Sequence, residues 1–141
     1  MTTTTTTEHP ARAAGLASQA AVRARDKQAW VALFAEDGIV EDPIGPSGFD
    51  PEGKGHRGTE AIAAFWDKAI AKTDLIEFLF GDSFACGNEV AFTGTIRSTI
   101  GGHRIDADGV FTYRVNEDGK IAALRAFWEV DRAMKTARPV D

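Results

Sequence analysis

The chain has 141 residues, 16 basic against 21 acidic side chains, and a formal net charge of -5. An acidic chain with interspersed charges lacks the basic face that phosphate contacts need, which excludes nucleic acid as the expected partner. One cysteine, Cys86, excludes an internal disulfide and is expected to be a buried thiol, and no stretch has the apolar length of a membrane span.

The length suits one domain with a core large enough to hold a pocket. Residues 1–9, with their threonine tract, and residues 134–141 read as flexible tails around a domain at 10–133. The start carries neither the basic nor the apolar region of a signal peptide, so a cytoplasmic protein is expected.

From Pro10 to Phe34 apolar positions recur at three and four residues, predicting two helices broken near Arg25-Asp26, with Asp26 capping the second. A short strand over 39–42 follows and ends at Asp42-Pro43. Proline disfavours helical geometry in the residue before it, so Asp42 is expected at the end of a stiff, extended segment. That mounting suits a chemical group, and it also suits an ordinary turn starter.

The stretch 43–58 holds five glycines and three prolines and reads as a loop forming a rim beside Asp42. His56 and Arg57 lie in it and are expected to face solvent. Residues 59–70 are the clearest helix, with Thr59 as cap and Ile62, Phe65, Trp66, Ala69 and Ile70 on one stripe.

Strand character then takes over at 75–85, 89–100, 104–115 and 120–131, with turns at Gly87-Asn88, Gly101-Gly102 and 116–119. In 89–100, Val90, Phe92, Gly94, Ile96 and Ile100 share one face, while Thr93, Thr95, Arg97 and Thr99 share the other. In 104–115 one face carries Ile105, Ala107, Phe111, Tyr113 and Val115, the other Asp106, Asp108, Val110 and Thr112. Aspartate is disfavoured inside strands, which leaves Asp108 either a surface charge or a group with a task. Helices followed by an antiparallel meander predict an α+β fold: a curved sheet wrapped around helices, cone-shaped, with a deep apolar pocket.

Four segments in this order, Val40-Glu41-Asp42-Pro43-Ile44-Gly45, Ile62 to Trp66, the Asp108 strand, and Asp118-Gly119-Lys120-Ile121 through Ala126-Phe127-Trp128, resemble the bacterial ketosteroid isomerases of the SnoaL-like cone fold. The resemblance implies a cofactor-free and metal-free proton transfer that converts a 3-oxo-Δ5 steroid to its Δ4 isomer. Asp42 is then the general base, and a neutral Asp108 the hydrogen-bond donor to the dienolate oxygen.

The family adds a tyrosine on the first helix, and ungapped spacing puts Ser18 at that place. Tyr113 is the sole tyrosine, and its odd offset from Asp108 sets it on the opposite face of the strand. Ser18 acting through a bound water, or the indole N–H of Trp66 or Trp128, is the expected substitute. Trp66, Phe92 and Trp128 are expected to line the pocket.

The alternatives from other classes are a binding protein for a steroid-like hydrophobic ligand and a cyclase or lyase working by acid and base. A homodimer is expected from the resemblance, through the Ile105–Val115 face or its neighbour.

Overall fold

The computed structural model describes residues 8–140; the whole threonine tract and the terminal Asp141 lie outside the described residues. The chain opens with helix α1 (Pro10–Arg23), which begins with proline at its first turn, and α2 (Lys27–Ala32). Asp26 caps α2 by accepting a hydrogen bond from the Ala29 backbone N–H at 3.0 Å. Strand β1 (Phe34–Glu41) begins earlier than the apolar spacing suggests, because Phe34 and Ala35 are buried as strand rather than helix residues.

The following loop is not structureless. Its end forms β2 (His56–Arg57), paired antiparallel with β1, and Ser47 bridges to Asp50. The Asp50 carboxylate accepts from the backbone N–H groups of Gly53, Lys54 and Gly55, a local cage that holds the loop folded. His56 is buried against the Phe65 ring rather than exposed, with ring centroids 4.8 Å apart; Arg57 is exposed as expected.

Helix α3 (Thr59–Phe65) takes Gly58, not Thr59, as its cap residue. It continues as a π-helical turn, Trp66–Ile70, closed by the Ala71 N–H donating to the Trp66 carbonyl at 2.8 Å. Such wide turns re-aim side chains and recur at functional sites.

Strands β3 (Leu75–Cys86), β4 (Glu89–Ile100), β5 (His103–Val115) and β6 (Ile121–Phe127) build the meander. After Phe127 the chain leaves the sheet, makes the short helix α4 (Val130–Met134), and returns as β7 (Arg138–Pro139) on β5. The C-terminal segment is therefore built into the fold and is not a loose tail.

The sheet runs β2-β1-β6-β5-β4-β3. It is mixed rather than wholly antiparallel, because β1 pairs parallel with β6. Bulges curve it: the β3–β4 register shifts between Phe80 and Asp82, opposite Gly94, whose φ is +143°. The concave side takes α1, α2 and α3 around Trp30, Phe34, Val40, Ile62, Phe65 and Phe92, all buried. Cys86 is exposed at the end of β3, contrary to the expectation of a buried thiol.

A β-carbon at Gly94 would collide with the Leu79 carbonyl, and its backbone angle is one that side chains rarely adopt. Gly94→Ala should lower the urea unfolding midpoint by an amount equivalent to about 2 kcal/mol or more, whereas Gly101→Ala, in open turn space, should cost less.

Candidate active site

The concave face of the sheet and the helices enclose a cavity of about 350 Å³, the size of a small-ligand pocket. Its wall comes from Ile96, Ser98 and Ile100 of β4, from Ile105, Ala107, Phe111 and Tyr113 of β5, and from Phe65, Ala69 and Ile70, which α3 and the π turn aim inward. Ser47, Gly48 and Phe49 of the loop and Val130, Ala133 and Met134 of α4 form further wall. The loop is thus the expected rim.

Two ionisable side chains line this cavity, Asp42 and Tyr113. Asp42 stands just past the last residue of β1, before a cis bond to Pro43. Its residue surface is half-buried, but what stays open faces the apolar chamber. Desolvation raises its pKa above the ordinary 3.8, against the Trp128 hydrogen bond, which lowers it. That bond runs from the Trp128 indole N–H to Asp42 Oδ1 at 2.7 Å. The indole of Trp128 therefore steadies the carboxylate and is not free to serve an oxyanion.

Tyr113 comes from β5 and its ring lies against α1. A β-carbon on Gly15 would stand 2.8 Å from its Cδ1 and 2.7 Å from Cε2 of Phe92, so a glycine is what lets the helix approach this closely. Ser18 and Gln19 follow three and four residues later on the same helical face. Burial pushes the Tyr113 hydroxyl up to about 12. The side chains of Gln19 and Ser18 beside it pull the other way, and the Asp42 charge raises it a little further.

Ser18 Oγ accepts from the buried Trp30 indole N–H at 3.0 Å, so its own proton remains to be given onward. Gln19 is buried with its Nε2 in no well-formed hydrogen bond. A phenol flanked in this way stays protonated at neutral pH and can donate into the chamber.

The sequence expectations are redistributed accordingly. Asp42 and Trp128 line the cavity. Ser18 is buried behind Tyr113 and does not line it. Trp66 and Phe92 are core residues one layer out: Trp66 packs on Trp30 at 5.4 Å and Phe92 on the edge of Tyr113 at 5.7 Å.

Asp108 does not reach the cavity and cannot donate to a ligand there. It projects from the convex side of the sheet, where Thr95 Oγ1 donates to its Oδ1 and Arg132 stands 4.0 Å from its Oδ2. Its neighbour Asp106 pairs on that same side with Arg97 at 2.9 Å and Arg138 at 3.3 Å. The face of β5 that looks inward is the one carrying Phe111 and Tyr113, which also removes it as a surface for a partner subunit. The polar row Thr93, Thr95, Arg97 and Thr99 on β4 was the available signal, because cross-strand neighbours share a face and Thr95 pairs with Asp108.

The model of the SnoaL-like domain matches residues 16–124. The chain belongs to the SnoaL-like family. Within it, this SnoaL-like chain is similar to RV0760c from Mycobacterium tuberculosis, whose crystal structure is 37% identical over 95% of this chain and 98% of that one, with a TM-score of 0.86. It is similar also to the Δ5-3-ketosteroid isomerase from a Mycobacterium species, 34% identical over 93% of this chain and 98% of that one, with a TM-score of 0.83. A further RV0760c structure holds estradiol-17β-hemisuccinate, at 36% identity over 93% of this chain and 99% of that one, with a TM-score of 0.77. No helix among the described residues of the SnoaL-like chain is long and apolar enough to cross a membrane.

Removing the indole donor removes the one influence that lowers the Asp42 pKa. Trp128→Phe should therefore move the Asp42 titration, followed by carboxyl-carbon NMR, to higher pH. An unmoved midpoint would mean that the bond carries no weight.

Proposed function

We propose that the SnoaL-like chain isomerises a 3-oxo-Δ5 steroid or a similar polycyclic enone, without cofactor or metal. One observation carries the reading: a carboxylate and a phenol are the ionisable groups of a largely apolar chamber. Similarity to a ketosteroid isomerase and to RV0760c with a bound steroid ester supports it.

Asp42 acts as general base. It takes the proton from carbon 4, becoming the neutral acid, and electron density moves onto the 3-oxygen as a dienolate. The Tyr113 O–H donates to that oxygen, in place of the first-helix tyrosine and of Asp108. The carboxylic acid then returns the proton to carbon 6, the double bond settles between carbons 4 and 5, and Asp42 is a carboxylate again. No atom is gained or lost.

Burial helps both partners. A desolvated carboxylate is a stronger base than one in water, and a buried phenol is a neutral donor in a low dielectric, where a hydrogen bond to developing charge gains strength. Trp128 keeps the carboxylate aimed while the proton is transferred.

The second reading is a carrier that holds such a ligand without turnover, favoured by the predominantly apolar wall around the ligand body. Turnover of 5-androstene-3,17-dione, followed by the rise of conjugated-enone absorbance, separates the two. Asp42→Asn should lower the rate about 10²- to 10⁴-fold with affinity retained, and Tyr113→Phe about 10²- to 10³-fold. Absence of turnover in the unaltered protein overturns the isomerase reading and leaves the carrier.

The pH dependence has a fixed sign. The folded pKa of Asp42 lies above the ordinary 3.8, so activity falls as pH drops through that raised value. Stability moves the other way: the folded state binds the proton more tightly, and its buried charge is a cost at pH above both values. Asp42→Asn should thus unfold at a higher denaturant concentration than the parent at neutral pH, with the gap closing as pH falls toward the ordinary carboxylate range.

The assembly we propose is a homodimer through the convex side of the sheet. That side carries Leu79, Phe84, Val110 and Phe127, which are 43%, 60%, 36% and 49% exposed, and Val110 is the direct cross-strand neighbour of Phe127. Light scattering should give twice the chain mass, falling to the chain mass on Phe127→Glu. A monomer in the unaltered protein overturns it.

A further inference from the structure

A second cavity of about 330 Å³ lies beside the first. The two share three wall residues, Val22, Ile76 and Phe78, and so abut across them. Their chemistry differs. The main chamber is apolar apart from Asp42, Tyr113 and a few hydroxyls, whereas the annex adds Arg23, Arg25 and Glu77 to its wall.

The positive charges here are uncompensated. Among the described residues neither Arg23 nor Arg25 is in an ion pair, in a chain whose acidic residues outnumber its basic ones by 21 to 16. Arg25 spends its guanidinium on neutral acceptors, donating to the carbonyls of Ile70 and Thr73. Arg23, in the last turn of α1, lies over the Phe78 ring at 5.4 Å. That ring is part of the wall of both cavities, so the cation sits where the apolar chamber meets the annex.

The acidic member of the annex does not quench them. Glu77 alternates with Ile76 and Phe78, which face inward, so its side chain points to the convex side. There its cross-strand partner is Arg97, whose charge it supports.

The annex is also well placed along the sheet. It lies at β3, one edge, while Asp42 leaves β1 near the other, and β6, β5 and β4 stand between them. Four strand spacings of about 4.8 Å make about 19 Å along the curved surface, and less across the hollow. On the helical wall, Val22 and Arg23 come one turn after Ser18 and Gln19, the neighbours of Tyr113, or about 6 Å along the axis.

We propose that the annex seats a carboxylate at the end of the ligand remote from the reacting enone, with Arg23 as the residue that binds it. This deepens the steroid reading above and rests on it: the apolar rings fill the main chamber and the acid emerges between Val22 and Phe78. A guanidinium suits a carboxylate because its planar fork can donate two parallel hydrogen bonds, and Arg25 adds charge without having to move. The preferred ligand is therefore an amphipathic steroid acid rather than a neutral steroid.

The test uses a 3-oxo-Δ4 steroid bearing a short side chain that ends in a carboxylate, and its methyl ester, titrated calorimetrically into the full chain. The acid should bind about tenfold more tightly than the ester at low salt, the gap narrowing as salt is raised. Arg23→Gln should cut the gap to about twofold or less, the remainder being the charge of Arg25, and Arg23→Lys should keep more of it. Arg23 is exposed, so its replacement leaves the core intact.

Equal affinities for acid and ester in the unaltered protein overturn the proposal, as does a gap undiminished by Arg23→Gln. Ester binding without any gain for the acid overturns the annex alone. Binding of neither overturns the steroid reading as well.

Discussion

The structure is arranged around one costly group, a carboxylate kept in an apolar chamber. Each feature near Asp42 meets part of that cost. The Trp128 indole supplies a single directed donor, enough to orient the carboxylate but too little to make it comfortable. The proline that follows fixes where the strand stops. The parallel pairing of β1 with β6 ties Asp42 to the strand whose end leads to Trp128, so the carboxylate and its hydrogen-bond partner are held by adjacent strands rather than by two independent loops. Fully satisfying such a carboxylate would stabilise the fold and lower its proton affinity.

The phenol side is solved differently. Tyr113 depends on what is missing as much as on what is present: Gly15 has no side chain, and this lets α1 close on the ring. The polar residues that follow on the helix surround the hydroxyl without occupying the chamber. Helix and sheet thus divide the labour, the strand delivering the ring and the helix setting its surroundings. The hydroxyl reaches the chamber from the sheet, and Ser18, buried on the helix, takes a supporting place behind it.

Much of this was legible in the residues themselves. The aspartate before proline marked the mouth of β1, the period-two pattern of β4 gave both its limits and its inward face, and the spacing of 59–70 gave a helix stripe. The residues of β5 left the choice of inward face open. The rarity of aspartate in strands left Asp108 open between a surface charge and a group with a task, and the family resemblance gave it the donor's role, although the apolar side of the same strand had the stronger claim to the interior. Parity separates Tyr113 from Asp108, and the structure turns Tyr113 inward and Asp108 outward. The α4 wall, the π turn and β7 were beyond local reading, since each depends on how the sheet curls and on contacts far away in the chain.

The return of the C-terminal segment to the sheet has a practical side. After α4 contributes Val130, Ala133 and Met134 to the chamber, Thr136 accepts a hydrogen bond from the Asp106 backbone through its hydroxyl, and β7 fastens to β5. The segment from Thr136 to Val140 acts as a clasp on the wall of the chamber. For anyone handling the protein, this makes the two ends unequal: a handle attached after Val140 hangs from a working part of the container, whereas one placed before Pro10 is joined at the outer start of a helix.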